Sequence, residues 1–202
     1  MFGIVENGKI VESGFDLRER FRGKAWPKDL ASVKDEDLPQ GVVRILVLPG
    51  ETLKFQRQVG TKFVLRTGKW YQERVIENWS SKEVADYLKA QAGQKRREIE
   101  HAGVALPNGA VVGTDLEDQN RISVALANWD LVGIAKVDFK AKNGWINVTK
   151  SDLQIIVKVI GKRLQELFTA ERAHCEEIDR LLRAPEAYAN LVNYDTNKGW
   201  PA

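Results

Sequence analysis

The chain has 202 residues, 43 % hydrophobic and 29 % charged, with a formal net charge of +3. That is enough for one large domain or two small ones with a buried core, and it argues against wholesale disorder. Lysines and arginines are interspersed with acids, so there is no electrostatic case for nucleic acid or a membrane surface, and no partner of either kind is expected. One cysteine, Cys175, excludes an internal disulfide and leaves almost no soft ligands for zinc. No segment reaches the roughly 18 consecutive apolar residues of a membrane span, and the start lacks the basic and apolar regions of a signal peptide. Synthesis in a cytoplasm without an export signal is the expectation.

The first third reads as short strands. In "FGIVENGKIVE", Asn7-Gly8 sits between two apolar runs and predicts a type I′ hairpin. "FDLRERFRG" predicts a short helix ending at Gly23, and residues 24–40, with Pro27 and Pro39, a loop. "VVRILVL" (42–48), "TLKFQRQV" (52–59), "TKFVLR" (61–66) and "KWYQERVIE" (69–77) predict four more strands, an antiparallel sheet or small barrel.

Three helix starts follow. Ser80–Glu83, Thr114–Glu117 and Thr149–Asp152 each place a hydroxyl three residues before a carboxylate, the spacing of a capping box. They predict helices at about 81–101, 115–130 and 151–183, with a shorter one after Pro185. Asn108-Gly109 and Asn143-Gly144 mark two further hairpins, both residues of the latter predicted at φ > 0. The fold class is α+β. Residues 1–80 form a small antiparallel β domain and 81–102 a connecting helix whose apolar stripe is narrow. Residues 103–202 form a hairpin, helix, hairpin and long helix.

No catalytic, cofactor or metal residue can be nominated. His101 and His174 are the only histidines and lie in different predicted helices. His174 and Cys175 are adjacent, so a helix points them about 100° apart, which argues against a shared ion. "TDLEDQN" (114–120) lacks the spacing of a calcium loop and reads as an acidic first helical turn. "QKRRE" (94–98) reads as a solvated helix face, and the six tryptophans as core or interface anchors rather than sugar platforms. The chain is not expected to be an enzyme.

The long helix carries the most information. Leu153, Val157, Ile160, Leu164 and Leu167 step by four and three residues, and Glu171, His174, Ile178 and Leu181 continue the series. The pattern is close to a heptad seam with two polar positions. Ile156, Val159 and Phe168 add a second stripe. Two readings stay open: a core helix packed on its own hairpins, or an interface for self-association or a partner.

The order of motifs resembles tailed-bacteriophage tail proteins. "MFGIVENGKIVE", "GVVRILVLPG" and "GKWYQERVIENWSSKEVADYL" resemble their N-terminal module. "KRREIEHAGVAL", "VVGTDLEDQNRISVAL", "NGWINVTKSDL" and "FTAERAHCEEID" resemble a domain of unknown function found in the same phage proteins. The end, "AYANLVNYDTNKGWP", is similar to the ends of tail-fibre assembly proteins. The resemblance implies a structural component of the phage tail, at the baseplate, tail tip or fibre attachment. Such a component would be made in the host cytoplasm, sit in the virion and contact other tail proteins. The alternative is a tail-fibre assembly chaperone. The resemblance carries over no catalytic residue.

Overall fold

The computed structural model describes residues 1–201 and is α+β. Contacts divide the chain into two units, Met1–Trp79 and Ser80–Ala202.

The first unit is built on a curled five-stranded sheet. Strands β1 (Phe2–Glu6), β2 (Lys9–Phe15), β3 (Val42–Val47), β4 (Gln56–Arg66) and β5 (Lys69–Asn78) lie in the order β2-β1-β3-β5-β4. The sheet is mixed rather than wholly antiparallel, because β3 and β5 run parallel. Between them the chain goes out to the β4 edge and returns through a hairpin. Asn7-Gly8 and Thr67-Gly68 each adopt two consecutive positive φ angles, as a two-residue turn between twisted strands demands. The segments 52–59 and 61–66, expected as two strands, are one strand. Gly60 marks a bulge within β4, not a break, while residues 52–55 stay outside the sheet.

One sheet face is covered by helix α1 (Leu17–Arg20) and the loop behind it. Phe2, Leu17 and Val42 are buried there, with Ile4, Phe15, Phe21, Trp26, Leu30 and Leu38 packed around them. Ile45 is buried on the other face, where Gly3 makes room: a Cβ on Gly3 would sit 2.5 Å from Ile45 Cδ1. Farther out on the same face, Val47 and Leu65 remain 61 % and 57 % exposed, so the apolar surface there is only part-covered.

In the second unit, helix α2 (Ser81–Ala102) leads to hairpin β6 (Val104–Ala105) and β7 (Val111–Val112). Helices α3 (Leu116–Ala127) and α4 (Trp129–Val132) follow, then hairpin β8 (Val137–Ala141) and β9 (Gly144–Val148). The unit ends with the 34-residue α5 (Lys150–Arg183) and α6 (Ala187–Val192). Val112, Ile122, Trp129, Val148, Leu153, Ile156 and Ile160 form a core where the hairpins and α3 meet the front half of α5.

Helix α2 is not the bare connector its narrow stripe suggested. Val84, Ala85, Leu88, Ala92 and Gly93 are buried, and the helix packs on α5 and α6. Three of those five side chains are absent or a single methyl, so a close helix-helix approach needs no wide stripe. Ser80 and Thr149 form complete capping boxes with Glu83 and Asp152. The middle start is displaced by one residue: Asp115, not Thr114, caps α3, accepting from Asp118 N at 3.0 Å. Thr114 is instead fully buried and donates to the Glu100 carbonyl, capping the end of α2.

The turn at Asn143-Gly144 also differs from expectation. Lys142 and Asn143 occupy the two turn positions and Gly144 begins β9; Gly144 has the expected positive φ, at +149°, but Asn143 does not. Its side chain has another task. Asn143 Oδ1 accepts from Val111 N at 2.8 Å and its Nδ2 donates to Gly109 O at 2.9 Å. Lys142 N adds a bond to Val111 O at 2.7 Å, so one hairpin's turn is stitched to the other's strand.

Asn143→Ala should therefore lower stability by about 1–3 kcal/mol, since it removes two side-chain hydrogen bonds to backbone, each worth about 0.5–1.5 kcal/mol. Urea unfolding measures this, and an unchanged midpoint would show that the stitch is dispensable. Gly103→Ala should cost more, at least about 2 kcal/mol, because Gly103 has φ +85° and its added Cβ would lie 2.5 Å from Val112 O.

Candidate functional site

The expected interface seam on α5 is occupied within the chain. Leu153, Ile160, Leu167, His174 and Ile178 are buried, and Leu164, Glu171 and Leu181 are half-buried. Only Val157 of the nine is exposed, at 41 %. The reason is geometric. A helix of 34 residues is about 50 Å long, and separate elements cover its successive stretches. The seam is a core stripe, and a partner can reach it only by displacing the protein's own helices. Of the second stripe, Ile156 is buried, Val159 half-buried and Phe168 exposed.

The two polar seam positions each have a partner that spacing alone did not reveal. Glu171 faces α2, where Gly93 leaves space for its carboxylate: a Cβ on Gly93 would be 2.9 Å from Glu171 Oε1. Arg96 Nε lies 2.6 Å from Glu171 Oε2 as an ion pair without hydrogen-bond alignment, and Arg96 also pairs with Glu100. The guanidinium sits 4.6 Å from the centre of the Phe168 ring. Lys89 and Asp179 pair at 2.7 Å farther along, so α2 and α5 run antiparallel with their charges in register. Asp179 is held below the ordinary carboxylate range by that hydrogen bond from Lys89. "QKRRE" is thus not one solvated face, because Arg96 turns inward.

His174 fixes the C-terminal segment. Its Nδ1 shares a 2.7 Å hydrogen bond with the Tyr194 hydroxyl, and its ring lies 5.0 Å from that of Trp200, tilted by 31°. Trp200 Nε1 donates to Thr196 O at 2.8 Å, and Leu191 is fully buried. The residues "NYDTNKGWP" therefore fold back over α5 as a strap. Burial pushes the Tyr194 phenol above its ordinary range. Neighbouring Cys175 is also pushed up, by burial and then by the Glu171 charge, which is the reverse of what an activated thiolate needs.

The acidic run at the start of α3 behaves as a helix terminus. The Asp118 N–H lowers Asp115 below the usual carboxylate range, while burial and the Asp115 charge raise Asp118. Among the described residues, no group of three or more His, Cys, Asp or Glu is placed to hold a metal ion. No helix of the described residues is long and apolar enough to cross a membrane.

A family model described as a domain of unknown function, DUF4376, matches residues 83–195. The chain belongs to the DUF4376 family. The DUF4376 match starts in the first turn of α2 and ends three residues beyond α6. It takes in both sides of the α2–α5 pairing but only the start of the strap, through Asp195. No curated protein and no solved structure matches the chain.

Sequence reasoning missed one surface altogether. Leu116, Val124 and Leu131 stand 70 %, 62 % and 85 % exposed on α3 and α4. Their spacing of eight and seven residues, out of phase with buried Ile122 and Trp129, was the available signal.

Glu171→Leu should destabilise the fold by about 1–3 kcal/mol, because it leaves Arg96 part-buried with one anion fewer. Arg96→Met combined with Glu171→Leu should recover most of that loss. Additive losses in a double-mutant cycle would show that the pair does not couple. Asp152 gives a pH signature. The Thr149 N–H, then its hydroxyl, hold the Asp152 carboxyl below its ordinary value, so the folded pKa lies below the unfolded one. Its contribution is present above the unfolded value of about 3.9 and is lost as pH falls through the folded value. Asp152→Asn should lower the melting temperature at pH 7 and converge with wild type at strongly acid pH. A difference independent of pH would refute the capping role.

Proposed function

We propose that the protein is a structural component of a bacteriophage tail, placed at the baseplate, tail tip or fibre attachment and acting through contacts with other tail proteins. Its site in this reading is the virion, after synthesis in the host cytoplasm. The observation that carries the proposal is the order of motifs along the chain, from "MFGIVENGKIVE" to "NYDTNKGWP", which resembles that of tail proteins over nearly the whole length. Surface chemistry supports it. The first unit leaves Val47 and Leu65 open on its sheet, and the second leaves the outward side of α3 and α4 apolar. Large exposed apolar side chains gathered on one face suit docking better than solvation. The proposal assigns the chain contacts rather than a reaction.

A second reading, a tail-fibre assembly chaperone, is favoured by the C-terminal strap. That segment is similar to the ends of fibre assembly proteins, and it is tied to α5 at His174 by the hydrogen bond to Tyr194 and by ring packing. Mass spectrometry of purified particles separates the two readings. The structural reading expects the chain in mature virions at a fixed ratio to the other tail proteins. Its absence from virions that carry complete fibres would overturn that reading in favour of the chaperone.

A further inference from the structure

Three Asn-Gly steps punctuate the chain, at Asn7, Asn108 and Asn143. All three asparagines are exposed, and each lies at a hairpin turn. Besides its turn geometry, such a step carries a latent reaction, because asparagine is chemically labile. The glycine nitrogen has no neighbouring Cβ to hinder its approach to the asparagine side-chain carbonyl. The reaction needs that nitrogen stripped of its proton and the side-chain amide free to turn toward it. A hydrogen bond on either group must be broken first.

The three steps differ on this point. Asn143 is held twice, its Oδ1 by Val111 N at 2.8 Å and its Nδ2 by Gly109 O at 2.9 Å, and Gly144 pairs with Ala141 in the ladder. At Asn108 the side chain accepts from Ala110 N at 3.1 Å, and Gly109 N donates to Leu106 O at 2.9 Å. At the first hairpin both groups are open. Neither the Asn7 side chain nor the Gly8 N–H has a hydrogen-bond partner among the described residues. A Cβ on Gly8 would meet nothing within 4 Å, so the tip is unobstructed. Beyond it β2 is an edge strand, paired only with β1. Rotating the Gly8 peptide out of the turn toward Asn7 Cγ therefore disturbs little beyond the closing pair, Glu6 with Lys9.

We infer that Asn7 is a site of spontaneous deamidation, and that the fold shields Asn108 and Asn143 from the same reaction. Hydroxide takes the Gly8 amide proton, and the bared nitrogen attacks Asn7 Cγ. A C–N bond forms, the Cγ–Nδ2 bond breaks, and the nitrogen leaves as ammonia after taking a proton from water. Water then opens the resulting five-membered imide at either carbonyl. One opening gives aspartate; the other routes the main chain through the side-chain carbon, as isoaspartate. Water is the only co-reactant, and nothing is oxidised or reduced. Either product adds one negative charge next to Glu6 and takes the formal net charge from +3 to +2. Isoaspartate also adds a methylene to a turn shaped for two residues at φ +50° and +75°. The hairpin it loosens is the one that carries Phe15 against the buried cluster of the first unit.

The test holds the full-length protein folded at mildly alkaline pH and samples it over time. Ion exchange follows the new acidic species, and peptide mass mapping that separates aspartate from isoaspartate locates it. A parallel sample in urea removes the hydrogen bonds that distinguish the three steps. In the folded protein Asn7 should convert about 10-fold or more faster than Asn108 or Asn143, each of which has at least two bonds to break first. In urea all three should convert at comparable rates. Folded protein in which Asn108 or Asn143 keeps pace with Asn7 would overturn the inference, as would an Asn7 that stays intact while the unfolded chain converts. A preference for Asn7 that is the same in urea would place the cause in the local sequence rather than in the fold, and would overturn it too. The inference stands apart from the proposed place on a tail: an intact Asn7 leaves that proposal standing, and absence from virions leaves this one standing.

Discussion

A long amphipathic helix cannot bury its own stripe, and the second unit is organised around meeting that need for α5. Hairpins, α3 and the Trp129 side chain cover the first turns through Ile160. Helices α2 and α6 take over toward Leu167 and Ile178. The strap from Tyr194 to Trp200 closes over His174. Removal of any one of these covers would expose a length of helix whose burial is worth about 1.5–3 kcal/mol per large apolar side chain. Against a total stability of about 5–15 kcal/mol, such a loss is large.

The pairing of α2 with α5 joins packing to electrostatics. Small residues on α2 let the backbones approach, and the approach places Glu171 beside Arg96 in a site with little water. A pair of this kind adds little net stability over an apolar replacement but punishes the loss of one partner. Together with Lys89–Asp179 it penalises a slip of one helical turn, because a slip would separate both pairs at once. The polar positions in the stripe thus specify register, against a helix of the same chain rather than of another copy.

Much of this was legible in the residues. Hydroxyl–carboxylate spacing marked two helix starts correctly and a third within one residue, and Asn-Gly steps marked hairpins. Periodicity identified the α5 stripe down to its polar members. Three things escaped for physical reasons. Periodicity says that a face is buried but not by what, so core and interface looked alike. Alanine and glycine contribute little to an apolar pattern, so α2 read as a connector although small residues are what close packing requires. Thr114 and Asn143 were assigned to the backbone nearest in sequence, whereas their hydrogen bonds go to Glu100, Gly109 and Val111. Long-range use of a short polar side chain leaves no trace in local pattern.

The antiparallel pairing of α2 with the far half of α5 has a consequence for how the chain is made. Helix α2 leaves the ribosome long before its cover exists, since the stretch of α5 that meets Arg96 and Lys89 follows about 75–90 residues later, roughly 4–18 s at ordinary elongation rates. Through that interval Val84 and Leu88 have nothing of their own unit to pack against. The start of α2 is held by the Ser80–Glu83 box, and its flank is rich in Lys and Arg, features that keep a nascent helix solvated while it waits. Completion of the unit is then a single late event, the arrival of α5, and a chain halted before Ile178 would present α2 to the surrounding proteins instead.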